Sequence, residues 1–492
     1  MISKWVIYNH GLSIANTSTT VGALLHSAET QVSAGIQEPR RSGSATGPAT
    51  ESKVRSFGRS AALAVLASGL LSVAGCGNNY RPVITAINPV GPAGQPTKYA
   101  VAISDPNPLG PDGVPTGSLP GLATFVDFSG DTVLITANIG AGPYYLILAN
   151  SGSTGLTLNR DGTVNSFSIS TSLLSSSVLQ TTLLPNATLP TSIFPEGAYT
   201  YITQPARQSV AELNGSPLTL QQELSPVGPS PVYIAGVASA PRVYVLSPSA
   251  TAGSAGTATP IETSTNTPSS ALPVGINPVY GVMTADTRRA FVMNKGSNTV
   301  SVIDAQNNRL DPGVTNGTIQ DPSAVAPVWA DFAPTLSELV VANEGNGTGN
   351  GSVSIFSIPL CSVLAPAGNP NCNINNPIDA TGFGSLVANV PVGKNPVMVG
   401  VLQDGTQAYV INEGDSTVSV INLATNTVTA TIPLPATANP TFVAVTTGSP
   451  TGKVYVTSST SKTMTVIRTD TNAVDTTIPL QGYGIQVRVT AP

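Results

Sequence analysis

The chain reads as an all-β protein, a single β-propeller of four-stranded blades, and three observations predict it. First, residues 395–433 (NPVMVGVLQDGTQAYVINEGDSTVSVINLATNTVTATIP) divide into four short Val/Ile/Thr-rich strands separated by the polar turns QDGT, EGDS and LATNT, the pattern of strands bounded by residues that tolerate turn dihedrals. Second, related units start near 143, 190, 231, 278, 327, 396 and 440, a spacing typical of propeller blades. Third, both ends hold incomplete units. KYAVAIS, GLATFVDF and DTVLITANIG match strands B, C and D with no strand A, and GIQVRVT at the C-terminus is a strand A with nothing after it. Together the fragments complete one blade, which gives eight. Seven is the second choice, because the copy at 190–227 has the weakest pattern. Closure of this kind removes the open sheet edges that invite aggregation.

Composition agrees. Of 492 residues only 9% are charged, with 47 Gly and 42 Pro. That profile fits an exported all-β protein, and the regularly placed apolar runs argue against disorder. A net charge of −5 leaves no basic face for nucleic acid.

Along the chain, residues 1–52 show no periodicity. Then Lys53, Arg55 and Arg59 precede an apolar run from Ala61 to Leu71 and the tetrapeptide Val73-Ala74-Gly75-Cys76. A basic segment, a short apolar core and small residues before a cut define a secretory signal. This one resembles a bacterial lipobox, which implies cleavage after Gly75 and lipidation of Cys76. The run from 61 to 75 is shorter than a membrane span needs. Residues 76–97 read as a Pro/Gly-rich tether, with a small extra strand around Val83 to Ile87, and 98–490 as the propeller. Removing 1–75 takes six of the 20 basic and three of the 25 acidic residues, leaving 14 against 22.

Within the repeats, Ala408-Tyr409-Val410-Ile411-Asn412 followed by Thr417-Val418-Ser419-Val420-Ile421 resembles the YVTN-type β-propeller repeat. So do Val454-Tyr455-Val456-Thr457, Thr299 to Asp304, and Val340-Val341-Ala342-Asn343. The family includes archaeal surface-layer proteins and many exported bacterial proteins, so the resemblance implies fold and address and leaves activity open.

Residues that carry chemistry are sparse. Both histidines, His10 and His26, lie in the leader, so the processed chain has no imidazole for general-base catalysis, a Ser-His-Asp triad or zinc. One tryptophan, Trp329, remains after the leader, against the recurrent Trp docking motifs expected of a quinoprotein dehydrogenase. No cofactor and no metal is expected. Cys361 and Cys372 bracket a Pro/Gly/Asn loop in the 327–393 unit; outside the cytoplasm they are expected to form a disulfide. Asp286, Asp304, Asp331, Asp404, Glu413 and Asp415 read as turn-shaping residues. Asn277, Asn395 and Asn439 each precede the proline that opens a strand A. They are expected to ring one mouth of the channel, in the extended conformation that a following proline favours. Tyrosines at strand positions read as packing between blades.

The function this predicts is a non-catalytic, lipid-anchored module that binds protein or polysaccharide of the cell envelope, periplasmic or at the cell surface, and monomeric. The alternative is a propeller lactonase-like hydrolase working without histidine.

Overall fold

The computed structural model describes residues 98–110, 115–149, 152–169, 180–184, 189–333, 335–359, 382–435, 437–446 and 452–490. The lipobox Val73 to Cys76, the tether, the strand expected at 83–87, and Cys361 and Cys372 lie outside these residues. What is described is a ring of eight antiparallel sheets. Blade 1 is the composite one: Tyr99–Asp105, Pro120–Asp127 and Thr132–Ala141 are joined by the C-terminal strand Tyr483–Val489. In that pairing Ala100 faces Val489, Ala102 faces Val487 and Asp105 faces Tyr483. Blades 2 to 8 have their innermost strands at Pro143–Ala149, Ile193–Glu196, Tyr233–Ala235, Pro278–Met283, Pro327–Ala333, Pro396–Val401 and Pro440–Val445. The weak copy at 190–227 is therefore a full blade, which excludes the seven-bladed alternative. In blades 4 and 5 the outermost position is split between two short pieces, Thr267–Pro268 with Leu272–Ile276 and Arg309–Leu310 with Thr318–Ile319.

Burial falls off from the second and third strands to the outermost. Gln407–Asn412 and Lys453–Ser458 are covered on both faces beyond their first residue, whereas Thr427–Pro433 and Ala473–Pro479 are almost wholly exposed. A blade sandwiched between two neighbours has no solvent face in its middle strands, so these read as continuous apolar runs. Strand C of blade 7 departs from the half-buried strand its alternation predicts: Ser419 is buried along with Val418 and Val420.

A single asparagine accounts for those buried hydroxyls. Asn412 ends strand B, and its Nδ2 donates to Thr417 Oγ1 at 3.0 Å and Ser419 Oγ at 2.9 Å. Asn294 does the same with Thr299 and Ser301, and Asn343 with Ser352 and Ser354. The clamp needs a close neighbour. A Cβ on Gly393 would lie 2.6 Å from Asn412 Cγ, and Gly275 and Gly140 stand in the same relation to Asn294 and Asn159. Gly393→Ala is expected to cost about 1–3 kcal/mol through this overpacking, read as a lower denaturation midpoint; an unchanged midpoint would show that the clamp yields freely.

A second device latches blade to blade. Tyr201, Tyr244, Tyr409 and Tyr455 occupy the same register of strand B, three residues before its end. Their hydroxyls donate to Asn266 (2.5 Å), Asn308 (3.3 Å), Asn472 (2.6 Å) and Asp131 (3.0 Å) in the outer turn of the next blade. All four acceptors have φ near +50°, the left-handed region that Asn and Asp tolerate best. Blade 6 has Val340 at the tyrosine position, and the matching acceptor, Asn426 Oδ1 in blade 7, is buried without a partner among the described residues. At the blade 8 to blade 1 seam Asp131 also takes an ion pair from Lys453 at 2.7 Å.

Candidate functional site: the central channel

Proline opens the innermost strand in blades 2, 5, 6, 7 and 8. The residue before it is left-handed in all five: Gly142, Asn277, Ala326, Asn395 and Asn439 have φ between +48° and +62°. This corrects the extended entry expected for Asn before Pro. The chain turns sharply from the outermost strand of one blade to the innermost of the next, and the register slips at each of these prolines. Asparagine stands there because its side chain tolerates positive φ. Asn277, Asn395 and Asn439 occupy equivalent places in their blades, each directly before the proline that opens an innermost strand. Two of their amides are engaged by their own blades, with Asn395 Nδ2 donating to Glu413 Oε2 at 2.9 Å and Asn439 Nδ2 to Ser459 Oγ at 2.7 Å. Lys295 pairs with Glu344. Glu413 and Asp415, read from sequence as turn residues, act that way here: Asp415 accepts from Lys394 N and Thr417 Oγ1.

The side chains that meet at the axis come from a register not singled out in the sequence, the residue two after the opening proline. Tyr145, Tyr280, Trp329, Met398 and Phe442 occupy it, and Tyr233 follows Pro231 in the same way. Tyr280 stacks on Trp329 at 3.9 Å between ring centroids, Tyr233 tilts against Tyr280 at 4.7 Å, and Trp329 meets Phe442 edge-on at 6.0 Å. Blades 6 and 8 are not neighbours in the ring, so the Trp329–Phe442 contact is made across its middle. These aromatics thus meet across the channel, whereas Tyr201 and Tyr244 pack between blades as expected. Burial pushes Tyr233 and Tyr280 well above the usual phenol range, so both remain protonated donors.

Two charged groups share this space. Arg488, on the closing strand, lies with its guanidinium carbon 4.6 Å over the Phe442 ring and donates from Nε to Leu146 O at 3.2 Å. Asp331 sits two residues beyond Trp329. Its Oδ1 accepts from Phe332 N and its Oδ2 from Val401 N of blade 7, both at 2.9 Å. Burial raises the Asp331 carboxyl to about 6, against the lowering effect of those two amides and of Arg488. The sign follows directly. A carboxyl raised by folding is unpenalised below its unfolded value near 3.8, and costs stability increasingly as pH rises through about 6. Trp329 emission is expected to titrate with a midpoint near pH 6, and Asp331→Asn to flatten that curve; a midpoint surviving the substitution would assign it to another group.

Among the described residues no set of three or more His, Cys, Asp or Glu side chains is placed to hold a metal. No helix among them is long and apolar enough to cross a membrane. The register behind the pillar was present in the sequence as Tyr, Tyr, Tyr, Trp, Met and Phe at a fixed offset from proline. Arg488 carried no such signal, since the closing strand lacks the proline.

No family model matches the chain, and no curated protein matches it. Solved structures match by shape. AztD from Citrobacter koseri superposes with a TM-score of 0.50 over 80% of this chain and 97% of its own, at 12% identity. The dihydro-heme d1 dehydrogenase NirN, in complex with DHE, gives 0.53 over 79% and 74% at 10% identity. At such identities the likeness is one of fold. The chain is an eight-bladed β-propeller.

Proposed function

We propose that this propeller is a non-catalytic binding module, carried to the cell envelope by its leader and held there by lipid on Cys76. One observation carries the non-catalytic part: Asp331, the carboxylate of the channel, ties each oxygen to a main-chain amide, one in its own blade and one in the next. Those two bonds fix the carboxyl as a tie between blades 6 and 7, whereas a general base is positioned on the proton that it takes from a substrate. The envelope address rests on the basic segment, apolar core and Val73-Ala74-Gly75-Cys76 of the leader. The Asn412 and Asn343 clamps give a physical meaning to the Asn that closes the YVTN-like strands, which supports the resemblance to that repeat family. Protein or polysaccharide of the envelope is the proposed partner, met by a monomer.

The test expresses the full chain in a bacterium and compares it with Cys76→Ser. Recovery in the membrane fraction with an acylated N-terminus at Cys76, and loss of both in the variant, is the expected result. An unmodified chain in the soluble fraction would overturn the anchor. Capture of no envelope protein or glycan by the purified propeller would count against the binding role.

The raised carboxyl of Asp331, with Arg488 at longer range, favours a second reading, a hydrolase of lactone-type substrates. Lactone hydrolysis lost in Asp331→Asn, with the fold intact, would replace the first reading with this one.

A further inference from the structure

We infer that the channel holds an anion subsite centred on Arg488, and that its ligand is a small planar carboxylate. The inference deepens the binding-module reading by naming a ligand class for the channel, and it is tested apart from the envelope address.

Arg488 is half-buried inside a ring of protein, yet among the described residues it makes no ion pair. A guanidinium withdrawn from bulk water is costly unless it is paired. Asp331 contributes at longer range only, and its oxygens are committed to Phe332 and Val401. The side chain is nevertheless fixed. Nε is tied to Leu146 O, and the plane rests on Phe442. That anchoring uses one donor, so the Nη1 and Nη2 edge is left for a ligand. Such an edge matches a carboxylate through two parallel hydrogen bonds.

The surroundings match the same chemistry. Tyr233 and Tyr280, in contact at 4.7 Å between ring centroids and held protonated by burial, lie within electrostatic reach of Arg488. The Tyr280–Trp329 stack and the edge of Phe442 supply apolar walls for the body of an organic acid. A few convergent polar groups within an aromatic lining is the usual composition of a small-molecule site. The simpler account, that Arg488 only props the closing strand, explains the Nε bond and the stacking. It leaves the charge without a counter-ion.

Trp329 makes the test direct, because it is one of only two tryptophans in the chain. The full chain carrying Trp5→Phe reports fluorescence from Trp329 alone. Titration with acetate and with benzoate is expected to change that emission saturably for at least one of them. Benzamide, the neutral isostere of benzoate, is expected to bind at least tenfold more weakly than the carboxylate that binds. Arg488→Gln is expected to weaken carboxylate binding at least tenfold, and Arg488→Lys less. Equal responses to benzoate and benzamide, no response to either carboxylate, or unchanged binding in a folded Arg488→Gln would each overturn the inference. Should Arg488→Gln fail to fold, the comparison of carboxylate with amide on the unsubstituted channel still decides it. None of these outcomes bears on lipidation of Cys76, which the fractionation experiment tests separately.

Discussion

Truncation before Tyr483 is expected to abolish the cooperatively folded, monomeric state. The lost strand, Tyr483–Val489, pairs with Ala100 to Asp105, all of them buried. Removing it uncovers that edge over six residues and takes out the buried side chains of Ile485 and Val487. Each such side chain is worth about 1.5–3 kcal/mol of burial. It also removes Arg488 and Gln486, which hold blade 2 through Leu146 O and Leu146 N. The combined loss is comparable with the 5–15 kcal/mol that typically separates folded from unfolded chains. A long, unpaired edge then faces solvent, the condition for intermolecular pairing. Size-exclusion chromatography should show oligomers or aggregate, and thermal unfolding should lose its single sharp transition. A peptide covering residues 480–492 added in trans should restore the monomer in part. A truncated chain that stays monomeric and melts within a few degrees of the full one would show that the remaining sheets hold the ring closed by themselves.

The ring and its closure were legible because repetition multiplies weak local signals. Each blade repeats the same four runs and the same turn chemistry, and the two terminal fragments fit one another strand for strand. The channel was not legible in the same way. Tyr233, Tyr280 and Trp329 meet only because the propeller brings the same register of distant segments to one axis, and their local sequence is that of any buried strand. Asn395 and its counterparts show the opposite error. Local preference before proline predicts extended backbone, and the tertiary demand for a sharp return to the axis overrides it with φ near +50°. Alternation within its strand points Ser419 away from the apolar face, yet it is buried for a related reason, because its partner, Asn412, sits on the neighbouring strand across a turn.

Trp329→Ala carries the second large effect, since it separates two accounts of what holds the blades at the centre. The ring is 5% exposed. It packs on Tyr280 of blade 5 and Phe442 of blade 8, so one side chain couples three blades. Large-to-small substitution at a buried tryptophan costs about 3–5 kcal/mol, and the aromatic pair adds about 0.5–1.5 kcal/mol beyond area. Trp329→Phe, which keeps a stacking face, should cost much less. Denaturant titration followed by far-ultraviolet circular dichroism is the suitable measurement, because both variants lose the Trp329 signal. A double-mutant cycle with Tyr280→Ala should return a coupling of about 0.5–3 kcal/mol, the range for side chains in contact. If Trp329→Ala instead costs under about 1 kcal/mol with no coupling to Tyr280, the pillar bears none of the ring's stability. Stability would then reside in the Tyr–Asn latches and the closing strand, leaving the aromatics and Arg488 free to have been retained for a ligand.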